Sequence, residues 1–210
     1  MNLGLMTSYI IGGILLIGIL AMNMSLSNSS TELTLTQTTR EKAKGVQEFI
    51  THDIQKMGYN REGKTNPILV EADSYKIIFR SNIDNSTDNS VELITWEFTS
   101  TLVGNGNPNA YVLKRTVRDA DTKNIISETP IRLGVTNFNI KYLDEYGEPV
   151  SNHMSTPVVG SDLLDDIRQL YITLELQSAA KVYQNSGGDG RFVRTIWEKR
   201  FSPPNLEEIK

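Results

Sequence analysis

The feature that most constrains this chain is an uncharged apolar run near its N-terminus. No charged side chain occurs between residues 3 and 24, where Ile, Leu, Gly and Met dominate, and the first charge is Glu32. A helix of about 20 residues, rising 1.5 Å per residue, crosses the roughly 30 Å of hydrocarbon in a bilayer. The run meets that length, so it predicts a helix that lies in lipid or in a bundle of helices.

A cleaved signal peptide and a buried helix of a soluble protein both fit the run less well. A signal peptide has a basic start, a shorter apolar core and a small-residue cleavage site, whereas no Lys or Arg precedes this run. A buried helix of a soluble protein is usually shorter and amphipathic. We therefore expect a membrane-type helix.

The flanking charges leave the direction of a membrane crossing open. The N-terminal side has no basic residue, and Arg40, Lys42 and Lys44 lie at the far limit of the window in which positive charge marks the cytoplasmic side. Taken alone, these three residues weakly favour a cytoplasmic head. Because long polar domains translocate largely regardless of charge, we expect an extracytoplasmic head.

A second helical pattern follows the apolar run. Apolar residues recur at steps of three and four, which predicts one buried helix face made of Ala43, Val46, Ile50, Ile54 and Met57. Gly58 suits the position just after a helix. We expect one helix from about residue 3 to residue 57, with melting between Ser25 and Ser30 as an alternative, because capping residues collect there.

The remainder of the chain is typical of short antiparallel strands separated by turns. Over residues 169–177 apolar and polar residues alternate, as in a sheet with one buried face. The expected fold is α+β, with a long N-terminal apolar and amphipathic helix packed on an antiparallel β-sheet head. The expected divisions are 1–24 (transmembrane or filament-core helix), 25–58 (amphipathic continuation) and 59–210 (β-rich head). Strands are expected at 74–80, 91–98, 111–118, 135–143, 169–177 and, less regularly, 192–201.

The composition argues against several functional classes. A net charge of −4 is unlike the basic surface of a nucleic-acid-binding protein. The absence of cysteine removes thiolate metal sites and cysteine nucleophiles. His52 and His153 have no converging partners in the sequence that would indicate metal binding or base catalysis. We expect no catalytic residue, no cofactor, no metal and no nucleic-acid partner.

Polar segments of the predicted head have more than one interpretation. Asp162, Asp165 and Asp166 could bind calcium, but capping of a short helix explains them better. Residues 187–190 (Gly-Gly-Asp-Gly) open no helix, so they are interpreted as a hairpin loop and not as a phosphate-binding motif. The Asn-x-Ser/Thr triplet at Asn85 lies in a polar loop that could carry a partner contact or a glycan.

Three stretches of the chain follow the order of parts in a known family. Residues 11–16 (Ile-Gly-Gly-Ile-Leu-Leu) look like the membrane half of its helix, and in residues 49–59 an Asp-Ile pair leads into Gly-Tyr at the helix end. Residues 133–144 look like a sheet segment ending in Tyr-x-Asp, followed by Gly147. Together they resemble the type IV pilin-like superfamily, in particular the large minor pilins of the pilin-W type and the J-type pseudopilins of type II secretion.

The chain departs from that family's pattern at its N-terminus. Pilins carry a short basic leader, a Gly-Phe cleavage site and a glutamate five residues into the mature chain. With Gly12 aligned on the family's glycine, Gly4 stands at the glutamate's position, so we expect neither that acid nor processing of a leader, unless Met1 is already the first residue of a mature chain. Gly4, Ser8 and Gly12 recur at steps of four, and small residues at that spacing let helices approach closely. They form a candidate helix-packing face, unless they reflect only the general frequency of glycine in membrane helices.

The resemblance implies a non-enzymatic structural subunit of a pilus-like or pseudopilus-like filament. Its partners would be copies of itself or related pilin-like subunits, with the membrane contacted through the N-terminal helix. Its place would be the cell membrane, as a single-pass protein with an extracytoplasmic head, an extracellular filament, or both. The alternative is a lone membrane-anchored binding or adhesion module, and an anchored enzyme is a third hypothesis.

Overall fold

The fold is α+β, with one long helix and one antiparallel sheet, as expected. A computed structural model describes residues 3–60, 67–83, 91–150, 157–160, 162–183 and 189–206. The elements follow in the order α1 (Leu3–Gln55), β1 (Leu69–Asp73), β2 (Lys76–Ser81), β3 (Glu92–Leu102), β4 (Tyr111–Asp119), β5 (Ile125–Leu143), β6 (Val158–Val159), α2 (Asp162–Asp165), β7 (Gln169–Val182) and β8 (Arg191–Phe201), with a final 3₁₀ turn at Pro204–Leu206.

Helix α1 is continuous over 53 residues. The alternative of melting between Ser25 and Ser30 is wrong, because the helix runs unbroken through this stretch. Thr31 and Thr34 donate hydroxyl hydrogen bonds of 2.9 and 3.0 Å to carbonyls four residues earlier, so these side chains satisfy themselves within the helix. The helix ends two residues before the predicted Met57, and Gly58 follows with a φ of +73°.

The eight strands form one sheet in the order β6-β1-β2-β3-β4-β5-β7-β8, and every neighbouring pair is antiparallel. All six predicted strands are present, with boundaries shifted by a few residues. Strands β1 and β6 and the first half of β5 were not predicted. In the sheet these segments gain ladder partners that their own short or weakly patterned sequences do not indicate.

Strand β5 changes neighbours at Gly134. Up to Ile131, β5 pairs with β4; Val135 pairs with both Tyr111 of β4 and Leu176 of β7, and beyond it β5 pairs with β7. Gly134 has a φ of +92°, and a Cβ there would lie 2.3 Å from the carbonyl oxygen of Gln177. Only glycine fits this close backbone approach. Pro130 lies in the first half of β5, where β4 is the only partner among the described residues, and proline is tolerated in such a one-sided strand segment.

The hydrophobic core lies between one face of α1 and the sheet, and it is built from the predicted periodicities. Leu170, Ile172, Leu174 and Leu176 of β7 are fully buried, whereas the residues between them are partly exposed, which confirms the predicted alternation. Helix α1 packs mainly on β7 and β8. Its last four turns therefore belong to the head, while the rest of the helix extends away from it.

Candidate functional site

The N-terminal half of α1 is an exposed apolar rod, which we define as residues 4–24. Every side chain from residue 4 to residue 27 is exposed, and α1 contains an 18-residue window with a mean hydropathy of 2.2. Among the described residues this is the one helix long and apolar enough to cross a membrane. Exposed apolar surface on this scale marks a site of interaction with lipid or protein.

The candidate packing face lies on this rod. An added Cβ at Gly4 or Gly12 would meet no atom within 4 Å, so the surface is open at both positions. Ser8 lies between them and donates its hydroxyl to the carbonyl of Gly4 at 2.9 Å. Because that hydroxyl is satisfied inside the helix, Ser8 leaves a small surface that a second helix could approach.

The other predicted set lies in the core of the head. The side chains of Ala43, Val46, Ile50, Ile54 and Met57 are all buried. Met57 lies beyond the last helical residue, in the turn that follows, yet its side chain still packs in the same core. The four that lie within the helix, from Ala43 to Ile54, join it to the sheet over roughly 17 Å of helix axis.

A buried ion pair adds to this junction. Asp53 is 1 % exposed and accepts three hydrogen bonds: from Trp96 Nε1 at 2.9 Å, from Arg115 Nε at 2.6 Å and from a terminal nitrogen of Arg115 at 3.0 Å. Trp96 belongs to β3 and Arg115 to β4, so one carboxylate connects α1 to two strands. The two Arg115 bonds form a bidentate pair, which fixes orientation as well as distance.

In the sequence analysis Asp53 appears only as part of the Asp-Ile motif at the helix end. Its role as a buried hydrogen-bond acceptor was not predicted. A signal was present, because Asp53 follows Ile50 by three residues and precedes Met57 by four, which places it on the buried face. An acid on an apolar face requires a partner. The sequence could not identify Arg115, which lies 62 residues away.

A polar cleft of about 630 Å³ lies where α1 leaves the head, between the helix and the β7–β8 hairpin. Glu32 of α1 forms a salt bridge with Arg191, the first residue of β8. Thr36, Asn109 and Gln177 line the same cleft. It lacks the apolar lining that is usual in small-molecule sites.

Elsewhere in the described part of the chain, few titratable side chains lie close enough together to form a catalytic or metal-binding site. His52 is mostly exposed, and its Nδ1 lies 3.4 Å from Asp53 Oδ1. The helix predicted near the acidic residues is present as α2, with four residues. Among the described residues no three His, Asp or Glu side chains are placed to hold a metal. His153, Asn85, Gly187 and Gly188 lie outside the described residues.

Comparison with models of known protein families and with curated proteins gives no match.

Proposed function

We propose that this chain is a non-enzymatic structural subunit of a pilin-like filament or membrane assembly. In this role the apolar rod anchors the chain and packs against neighbouring rods, and the sheet head forms the outer surface. The subunit would lie in the cell membrane with an extracytoplasmic head, in an extracellular filament, or in both. Its partners would be copies of itself or related subunits.

The observation that carries the proposal is the continuity of α1 from the exposed rod into the core of the head. Covering an apolar side chain is worth about 1.5–3 kcal/mol, so covering the rod is worth tens of kcal/mol. The stripe from Ala43 to Met57 and the Asp53–Arg115 pair fix the rod to the head without a linker. Rods packed side by side would therefore set the positions of their heads, as an ordered assembly requires. A lone binding module needs no such coupling.

Cysteine cross-linking tests self-association directly, because the chain has no native cysteine. We expect Gly12→Cys to give dimers with a short bismaleimide in native membranes or shed fibres. Ile17→Cys is the matched control, since Ile17 lies on the opposite side of the rod and is also exposed. Dimers at Gly12 and few at Ile17 support the packing face. The absence of adducts at both positions, in membranes and in fibres, would favour the lone binding module.

Electron microscopy of the native assembly tests the larger claim. We expect a helical fibre with apolar helices at its centre and heads outside, because the rod must be covered along its length. A discrete single-copy particle in detergent would contradict the filament and leave only membrane anchoring.

A further inference from the structure

The head has a definite direction relative to the rod, set by β8. Arg191, at the start of β8, contacts Glu32, while Phe201, at its end, lines the same pocket as Ile54. From Glu32 to Ile54 the helix rises about 33 Å, at 1.5 Å per residue. From Arg191 to Phe201 the strand spans about 33 Å, at 3.3 Å per residue. The strand therefore runs alongside the helix, and its Arg191 end is the end nearest the rod.

The position of that end relative to a bilayer follows from the helix rise. Residues 3–24 extend for about 33 Å, which matches the roughly 30 Å of hydrocarbon. From Met24 to Glu32 the helix rises about 12 Å further. Headgroups occupy about 5–8 Å on each side of the hydrocarbon. With the rod inserted, the Arg191 end of the head lies within a few ångströms of the headgroup surface, which is within one Debye length.

The end of the head nearest the rod, where β7 ends and β8 begins, is called the hairpin base here. It exposes cations and an aromatic ring. It consists of Lys181, Tyr183, Arg191, Phe192 and Arg194. The side chains of Arg191 and Arg194 are 54 % and 59 % exposed, and Tyr183 is 51 % exposed. Lys181 Nζ lies 5.6 Å from the centre of the Phe192 ring. Basic and tyrosine side chains are the types that proteins place at membrane interfaces.

Three acidic groups lie near these three cations, and two of them are paired with the arginines. Glu32 is engaged by Arg191, and Glu175, 3.8 Å from Arg194, is only 17 % exposed. Asp189 is exposed near the hairpin base. Each guanidinium has five N–H donors, so its contact with one carboxylate leaves donors for phosphate oxygens.

We propose that the hairpin base docks on anionic phospholipid headgroups, with Arg191 and Arg194 contacting phosphates and Tyr183 lying at the interface. The inference rests on the membrane anchoring in the proposed function and is independent of filament formation. A docked base would hold the head upright on the membrane before any assembly.

The test uses the full-length chain in lipid nanodiscs, one copy per disc, with a fluorophore on a single cysteine. Tyr183→Cys labels the hairpin base. Tyr146→Cys is the matched control, since Tyr146 is exposed but follows the far end of β5, near Arg200. With spin-labelled lipid headgroups, we expect at least about twofold stronger quenching at position 183 in anionic than in neutral discs. Position 146 should be quenched weakly in both.

Replacing arginines by glutamine identifies the residues that contact the anionic headgroups. In the Tyr183→Cys background, Arg191→Gln with Arg194→Gln should abolish the extra quenching in anionic discs. Lys199→Gln with Arg200→Gln, which removes two cations from the far end of the same strand, should leave it unchanged. Equal quenching at positions 183 and 146, or quenching independent of lipid charge, would overturn the proposal. Because each disc holds one copy, the quenching result does not depend on whether the protein forms filaments. A negative quenching result likewise has no bearing on the outcome of the cross-linking test at Gly12.

Discussion

Asp53 is the residue at which the helix and the sheet are joined electrostatically. A buried ion pair contributes little net stability when intact, because desolvation of both charges offsets their attraction. Removing one partner is a different matter, since the other is left as an uncompensated buried charge. We therefore expect the pair to act mainly by specifying how α1 lies against β3 and β4.

We expect Asp53→Asn to lower the free energy of unfolding of the head by about 3–5 kcal/mol, because Arg115 loses its counter-ion. Asp53→Asn combined with Arg115→Met should be less destabilising than the single change. Urea unfolding in detergent, followed by tryptophan fluorescence, measures both. Lys44→Ala is the control: it breaks the exposed Lys44–Glu48 pair and should cost below about 0.5 kcal/mol. A single change no worse than this control would contradict the role given to Asp53.

A second prediction at the residue scale concerns Gly134. Alanine there would be strained by the positive φ and would place its Cβ 2.3 Å from the Gln177 carbonyl oxygen. We expect Gly134→Ala to destabilise the head by more than about 3 kcal/mol in the same assay. Gly104 also has a positive φ, +73°, but has open space around it, so Gly104→Ala should cost only about 1–2 kcal/mol. Similar losses at both positions would show that the contact with Gln177 is unimportant.

Among the elements, the turn between β1 and β2 closes the sheet onto itself. The amide of Ile140 in β5 donates to the carbonyl of Ser74 at 2.8 Å, and the amide of Phe98 in β3 donates to the carbonyl of Tyr75 at 2.8 Å. The buried hydroxyl of Tyr142 donates to the carbonyl of Asp73 at 2.9 Å and accepts from the amide of Asp73 at 3.2 Å. The turn therefore links two strands that are not neighbours in the sheet.

Burial raises the pKa of Tyr142 well above its ordinary value of 10.0. Below about pH 10 the phenol is neutral in both states, so its contribution to stability is fully present. Above that pH the unfolded chain releases the proton and the folded chain retains it. Stability then falls with rising pH, by up to about 1.4 kcal/mol per pH unit from this group.

The corresponding variant is Tyr142→Phe. We expect it to lower stability by about 1 kcal/mol at neutral pH, through the lost hydrogen bonds, and to reduce the loss above pH 10. Urea unfolding at a series of alkaline pH values measures the slope. Tyr183→Phe, which removes an exposed hydroxyl, is the control for the general effect of replacing a tyrosine by phenylalanine. An unchanged slope in Tyr142→Phe would refute the assignment.

At the scale of the whole molecule, the rod and the head differ in how their apolar side chains are removed from water. The head buries its apolar residues against one another, whereas the rod has no protein around it within the described part of the chain. A charged side chain in the middle of the rod therefore raises the free energy of membrane insertion, whereas the same side chain just outside the rod does not.

We expect Gly12→Arg to impair membrane integration, because an arginine at the centre of the hydrocarbon costs about 2.5–3.5 kcal/mol. Ser30→Arg, beyond the apolar run on the same helix, should integrate like the parent chain. Extraction of membranes with alkaline carbonate separates integrated from peripheral protein. Equal resistance to extraction in both variants would argue that the rod is covered by protein and not by lipid.

The sequence by itself determined the apolar rod, the buried stripe from Ala43 to Met57, the alternation in β7 and the α+β class. Each of these follows from composition or from periodicity along one segment, so local physics is enough. The packing face at Gly4, Ser8 and Gly12 and the filament role stay predictions, since both concern surfaces that only a partner would cover. The sequence does not predict strand β1, because its five residues include two acids and carry no strand pattern of their own.

Only the tertiary structure decided the pairing of Asp53 with Arg115, the exchange of neighbours at Gly134 and the placement of the hairpin base beside Glu32. In each case the contacting groups are distant in the chain: Glu32 and Arg191 are 159 residues apart. Which distant residues meet depends on how the entire sheet folds over α1, and no local pattern encodes that. The sequence thus determined which side chains of the head must be buried, and the fold decided which other side chains they pack against.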